Sequence, residues 1–296
     1  MDISYINQAG AFTPFFRGHA HHDTKRREPW VFGEPYTSIL RSTAIMRYTL
    51  LPYWYSVFHE AYLEGLPVMR TMFTEFPDDA NTFTMEDQWM VGNALLVKPV
   101  TDAGKTTADV YLPMEGHQIW YDFHRMTRIL TDTAWVTVSA PLEKIPVFIR
   151  GGKIIPRKLR LRRSSKLMFY DPYTLLIAYD GDMNAVGSLY MDDEYSTEHS
   201  SDASSWALRE FVMSGGSKIT CRQKNPLDAT AKRYQAPNTL ERVIIAGQPR
   251  APASIVVRVD GNEHELHFFY DQSTKILSIK KPDVLLSDDW DIVFSY

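Results

Sequence analysis

Cysteine is nearly absent. Cys221 is the single thiol in 296 residues, so the chain can close no internal disulfide and build no thiolate metal cluster. A lone cysteine in a folded chain reads by default as a buried structural thiol. Charge of one sign is also scarce: a net charge of -4 offers no basic field for a phosphate backbone, which argues against nucleic acid as a partner. No run approaches the roughly 20 apolar residues that a bilayer crossing needs, so no membrane insertion is expected. Met1 is followed by Asp2, Ile3 and Ser4 rather than by a basic and then apolar leader, and Val293-Phe294-Ser295-Tyr296 is no retention tag; no signal peptide is expected. Nothing repeats at a fixed period, which excludes solenoids and propellers.

What is present is a large apolar share, 44%, with 13% aromatics, enough for a folded chain of two or more domains. Big β-cores account for the aromatics more simply than sugar-stacking surfaces do. One local charge run, Arg157 to Arg163 (RKLRLRR), reads as a solvated edge strand or loop.

Chemistry concentrates between Gln8 and Trp30, QAGAFTPFFRGHAHHDTKRREPW, where three histidines, two acids and several basic and aromatic residues crowd together. Ala9 to Phe16 shows no helical period and reads as a buried strand. In an extended continuation Arg17, His19 and His21 would share one side. A stripe at Leu40, Ala44, Tyr48, Leu51, Tyr55, Phe58 and Tyr62 then predicts an amphipathic helix, with Thr37 or Ser38 as N-cap, a kink at Pro52 and a stop at Gly65 and Pro67. Strand, loop and helix make one β/α unit. Such a unit cannot bury its own faces, so this part is expected to end a larger domain that begins upstream. His19-x-His21 with His22 also resembles the strand-end metal pair of amidohydrolase barrels. The rest of the chain turns to β-structure instead of offering further ligands, and no metal or cofactor is expected.

From Asp87 the pattern changes to short β runs: 94–100, 108–112, 118–121, 135–138 and 146–150. Gly151-Gly152 and Pro156 mark a boundary, and a second series follows at 174–179, 188–191, 206–213, 218–221, 240–246, 254–259, 265–270, 275–279 and 290–294. Gly181-Asp182-Met183-Asn184 reads as a turn and Asp192-Asp193-Glu194 as a solvated hairpin acid cluster. His264 and His267 read as ordinary surface or packed residues. Trp120, Tyr121, Trp135 and Trp206 could pack in cores or stack on sugars, which keeps open an alternative, a non-catalytic carbohydrate-binding or interaction module.

GAFTPFFRGHAHHDTKRREPW, then RYTLLPYWYSVFHEAYLEGLPVMR, MEDQWMVGNALLVKPV, IPVFIRGGKIIPR, RRSS and the late DDW together resemble the C-terminal part of the α-glucosidases of glycoside hydrolase family 31. Agreement begins abruptly at Gln8, since Ser4-Tyr5-Ile6-Asn7 departs from the family's pattern. The resemblance implies a mixed α/β and all-β chain: the last β/α unit of a (β/α)8 barrel, then two antiparallel β-sandwich domains. The implied divisions are 1–69 for the truncated barrel end, 70–150 for a proximal sandwich and 151–296 for a distal one. The motif P-F-x-R-x-H places the family's substrate-binding histidine on His19, with Arg17 as a residue that supports the site. The nucleophile and acid/base of a retaining glycosidase lie about 5 to 5.5 Å apart. In this family they are aspartates of W-x-D-M-N-E-like and G-D-N-like motifs on earlier barrel strands, so no catalytic residue is expected in this chain. Asp23 and Glu28 share one loop and cannot easily flank a glycosidic bond. The implied activity is trimming of α-linked glucose from N-glycans, with a glucosylated oligosaccharide or glycoprotein as substrate, a possible regulatory β subunit as partner, and the endoplasmic reticulum lumen as location. The chain alone is expected to be inactive.

Overall fold

The computed structural model describes residues 9–224 and 234–296; Gln8, where the family resemblance begins, and the departing Ser4-Tyr5-Ile6-Asn7 lie outside them. Two helices, α1 (Tyr36–Thr49) and α2 (Leu51–Glu64), lead into a short α3 (Met72–Glu75). Seven strands surround it: β1 (Met69–Arg70), β2 (Trp89–Val91), β3 (Leu95–Val97), β4 (Thr107–Tyr111), β5 (Trp120–Asp122), β6 (Trp135–Ser139) and β7 (Val147–Arg150). The large sheet comprises β8 (Lys153–Arg157), β9 (Tyr173–Ala178), β10 (Ala185–Met191), β11 (Ala207–Ser214), β12 (Lys218–Gln223), β13 (Leu240–Ala246), β14 (Ser254–Val259), β15 (Asn262–Glu265), β16 (His267–Asp271), β17 (Ile276–Lys280) and β18 (Trp290–Ser295). The chain is thus β-dominated with its helices gathered at the start, the mixed class expected of it.

Proline and glycine punctuate the helical part. The break falls at Leu50 (φ -93°, ψ 0°), two residues before Pro52, because proline lacks the donor for the preceding turn and crowds it. Gly65 ends α2 in the left-handed region (φ 72°, ψ 6°), donating its N–H to the Ala61 carbonyl at 2.9 Å. The N-cap expectation fails: Thr37 turns its hydroxyl back to the Gly33 carbonyl, while the Glu34 carboxylate accepts the Ser38 N–H at 3.2 Å.

The strand expected at Ala9 to Phe16 does not form. Ala9 and Gly10 are helical, and the N–H groups of Phe12 and Thr13 close on the carbonyls of Ala9 and Gly10 at 3.0 and 3.1 Å. A strand needs a neighbour to take its backbone groups. None of the described strands runs beside this segment, so its backbone satisfies itself locally.

β1-β2-β3-β7-β5 form one sheet, covered on one face by the β4-β6 pair. Met72, Met90, Leu96, Val110, Trp120 and Phe148 fill the space between. Its other face packs against α2 and part of the large sheet through Tyr53, Val57, Leu95, Ile149, Ile155 and Leu176. The large sheet runs β15-β14-β18-β12-β11-β10-β8-β9-β13-β17-β16 and folds over a second core. Pairing is antiparallel except between β8 and β10 and between β9 and β13. In β9, Leu175 and Ile177 enter that second core while Leu176 and Ala178 face the helical side, so every residue of Tyr173–Ala178 is buried. This explains its unbroken apolar run: a strand covered on both faces has no reason to alternate.

Several charged readings need correction. RKLRLRR is not simply solvated: Lys158 is buried and donates to the carbonyls of Met168 and Phe169 at 2.9 Å each, Arg160 pairs with Glu241 and Arg162 with Asp171. Burial pushes the Lys158 pKa down to about 8. Within Asp192-Asp193-Glu194 only part is solvated, because Asp192 is buried beneath the hydroxyls of Tyr55 and Tyr190. Partners this remote in sequence leave no local signal. Met183 sits in a tight turn at φ 59°, as expected of Gly181 to Asn184. Cys221 is buried, its thiol pushed up to about 11 by desolvation, which the neighbouring Arg209 partly offsets. Both His264 and His267 are exposed.

Candidate functional site

The candidate site is the loop from Phe16 to Pro29, and its position is set by the residues before it. Ala11 and Phe12 are fully buried, which anchors the chain entering the loop; burying one large apolar side chain contributes about 1.5–3 kcal/mol. Arg47 of α1 then donates to the carbonyls of Ala11 and Thr13 at 2.8 Å each and of Pro14 at 3.0 Å. The same guanidinium lies over the rings of Trp54 and Phe16, 4.7 and 5.2 Å from their centres. Burial lowers its pKa, but no further than leaves it charged. Trp89 adds a fourth tie, from its indole N–H to the Phe12 carbonyl at 3.0 Å. These anchors were not recognised from sequence alone: Arg47 lies inside a helix and Trp89 in a distant strand, with no local pattern to link either to the loop.

Beyond the anchors the loop is exposed, and it curls with Leu40 and Ala44 around an open cavity of about 610 Å³. Arg17 and His19 both border this cavity. Arg17 lies against the Phe15 ring, 5.8 Å from its centre, and neither side chain makes a hydrogen bond or ion pair with the described residues. Arg26 grips Glu28 through Nε and Nη2 at 3.0 and 2.9 Å to Oε1. These hydrogen bonds hold the Glu28 carboxyl below its ordinary value and raise Arg26. Glu28 is thereby kept ionised and engaged.

The one-sided alignment of Arg17, His19 and His21 rested on a strand and falls with it. What converges instead is His21, His22 and Asp23, with one ligand atom from each within 4.8 Å of the others. His21 Nδ1 lies 3.4 Å and His22 Nε2 3.2 Å from the Asp23 carboxylate. His19 is not in this group, so the HxH pair is not what the loop assembles. All three members are exposed and consecutive, and among the described residues no buried group orients them as the outer partners of a resident metal do. Asp23 and Glu28 both belong to this loop, and each is already engaged with a neighbouring base.

The aromatics divide. Trp120 and Tyr121 are core residues whose polar ends reach the carbonyls of Pro113 and Tyr179 at 2.8 and 2.9 Å. Trp206 is half-buried near His59 and Tyr190. Trp135 is 55% exposed and meets Tyr111 edge-on. Among the described residues no helix is long and apolar enough to cross a membrane.

Two family descriptions match the sequence in tandem: "Glycosyl hydrolases family 31 TIM-barrel domain" over residues 6–57 and "Glycosyl hydrolase family 31 C-terminal domain" over residues 65–155. Neutral alpha-glucosidase AB of Dictyostelium discoideum is 42% identical over 284 residues, which is 96% of this chain and 29% of that protein. A crystal structure of glucosidase II alpha subunit, bound to Glc1Man2, superposes with a TM-score of 0.91 at 34% identity, over 99% of this chain and 33% of that one. The catalytic subunit in an ER glucosidase II heterodimer, which includes the binding domain of the regulatory subunit, gives 0.91 and 34% over 99% of this chain and 32% of that one. The chain therefore spans about a third of the length of these relatives.

Proposed function

The chain belongs to glycoside hydrolase family 31, and from that premise we propose that it forms the C-terminal part of a retaining α-glucosidase trimming α-linked glucose from N-glycans. In this reading 1–69 closes a (β/α)8 barrel, 70–150 is the proximal β-sandwich and 151–296 the distal one. His19 hydrogen-bonds a hydroxyl of the glucose being released, a contact that strengthens as the ring flattens toward its oxocarbenium-like transition state. Arg17 pairs with a carboxylate of the barrel and holds the site in shape. The two catalytic aspartates come from barrel strands upstream of this chain. The substrate is a glucosylated oligosaccharide or glycoprotein, the enzyme works in the endoplasmic reticulum lumen, and a regulatory β subunit associates with it.

The observation that carries this reading is that His19 and Arg17 stay exposed and unspent at the edge of a cavity while the backbone before them is tied down by Arg47 and Trp89. A site that must meet a ligand needs unspent donors on a fixed support. In the enzyme with its barrel complete, His19→Ala should lower kcat/KM for an α-glucoside by about 10²- to 10³-fold, the cost of one donor used in the transition state. Its melting temperature should not move. A sharp fall in melting temperature with normal activity per folded molecule would make His19 structural and end the proposal.

A second reading, a saccharide-binding module without catalysis, is favoured by the exposure of Trp135, where Trp120 and Tyr121 are core residues and Trp206 is half-buried. Retention of saccharide affinity by the 296 residues, lost on Trp135→Ala, would support it over the first.

A further inference from the structure

Between the helices and the large sheet lies a cavity of about 280 Å³, separate from the one beside His19 and sized for a small ligand. Its walls are aromatic: Tyr55 from α2, Tyr173 from β9, Tyr190 from β10, and Tyr234. Unlike a plain core void, it also holds polar groups with unspent capacity. Lys158 is 4% exposed and has three N–H donors, two of them taken by the carbonyls of Met168 and Phe169. Trp54, 3% exposed, lines the same cavity, and its indole N–H finds no partner among the described residues. A buried donor left unsatisfied typically costs about 1–3 kcal/mol, so its persistence calls for an explanation.

Acceptors line the same cavity. Asp192 is held in place by Tyr55 and Tyr190 hydroxyls at 2.7 and 2.8 Å and by the Glu194 N–H at 2.8 Å, while Tyr234 donates to its backbone carbonyl at 2.8 Å. Glu194, exposed at the mouth, adopts φ 64°, a left-handed backbone uncommon for a residue with a Cβ, and its carboxylate makes no hydrogen bond with the described residues. Outliers of this kind collect where the surroundings impose them.

Charge and shape together select the ligand. Arg47 and Lys158 balance Asp192 and Glu194, so the lining carries no net charge and favours neither an anion nor a cation. An ammonium ligand meets a further obstacle: the Tyr173 face it would use already carries the Lys158 ammonium, 4.5 Å from the ring centre. A neutral molecule is left that can both give and accept hydrogen bonds along its edge and offer C–H faces to aromatic rings. We propose that this cavity is a second saccharide site, taking one neutral hexopyranose residue, distinct from the site at His19 and without catalytic groups of its own. It rests on the lining chemistry and stands whether or not His19 contacts sugar.

The test is titration of the 296-residue chain with methyl α-D-glucopyranoside, followed by calorimetry and saturation-transfer NMR. Saturable millimolar binding is expected. Glu194→Gly keeps the backbone, since glycine accepts φ 64° without strain, and should weaken binding about five-fold, the worth of one hydrogen bond. Trp54→Phe should weaken it comparably by removing the spare donor. Loss of all saturable binding in His19→Ala, with both cavity residues in place, would assign the sugar to the loop and overturn the second site. No saturable binding, undiminished binding in both cavity variants while their melting temperatures hold, or saturable binding of choline in place of the glucoside would each overturn the proposal.

Discussion

In the large sheet Arg209 is wholly buried and its guanidinium is engaged with Gln223 at 2.9 Å, the Asp288 carbonyl at 2.6 Å, the Cys221 sulfur at 3.4 Å and the Asp289 carboxylate. In the 16–29 loop Arg17 lies exposed against the ring of Phe15 and makes no hydrogen bond or ion pair with the described residues. The same side chain type is spent within the described residues in one region and left unspent by them in the other. A buried charge must be paired or the fold loses its cost, whereas a charge kept for binding must be left unpaired, which only an exposed position allows. Arg47 joins the loop to the helical core: it stacks on Trp54 and holds the carbonyls that lead into the loop.

That contrast breaks most visibly in the core. Ile177→Ala empties a fully buried site in β9 and should cost about 2–5 kcal/mol in denaturant unfolding, with no direct effect at His19. Arg47→Ala comes next, at about 2–4 kcal/mol, since three carbonyls lose a charged donor. Because Arg47 joins the regions, this variant should also speed amide exchange in the 11–16 segment. Exchange that stays at the wild-type rate there would show that the loop holds itself.

The smallest effect expected is a pH dependence at the helix–sheet seam. His59 stacks on Tyr190 with ring centres 4.0 Å apart, and desolvation lowers its pKa from 6.5 to about 4, with His199 adding to the shift. The unfolded chain therefore binds the proton first as the pH falls below 6.5. Stability attributable to this residue is intact above that value and is lost between about pH 6.5 and 4. His59→Phe should flatten the curve in that window in thermal melts taken across it. An unchanged slope would place the titration elsewhere.

The large sheet was readable because its strands carry their own evidence. β9 announces double burial by an unbroken apolar run, and the alternation of Ser254–Val259 matches its buried and half-buried residues. β8 was missed. Pro156 reads as a boundary, yet it sits in register with Leu175 of β9, and on the other side β8 meets β10 only at Lys153, so no β10 ladder bond needs the missing N–H. The burial of Asp192 was hidden for another reason: one donor, Tyr55, lies 137 residues away. At the candidate site the residue types were legible and their arrangement was not. Ala9 to Phe16 has the composition of a strand, but composition cannot say whether a neighbouring strand is there to pair with it.

We propose that this chain positions a glucose residue and does not cleave its bond. His19 and Arg17 supply neither a glycosyl acceptor nor a proton donor matched to the leaving oxygen, and Asp23 and Glu28 lie together on one exposed loop. Purified 296-residue chain assayed with 4-nitrophenyl α-D-glucopyranoside tests this directly. The expected result is no release above the uncatalysed rate. Turnover that survives repurification and vanishes on Asp23→Ala or Glu28→Ala would contradict it, by showing that the catalytic pair lies within these residues.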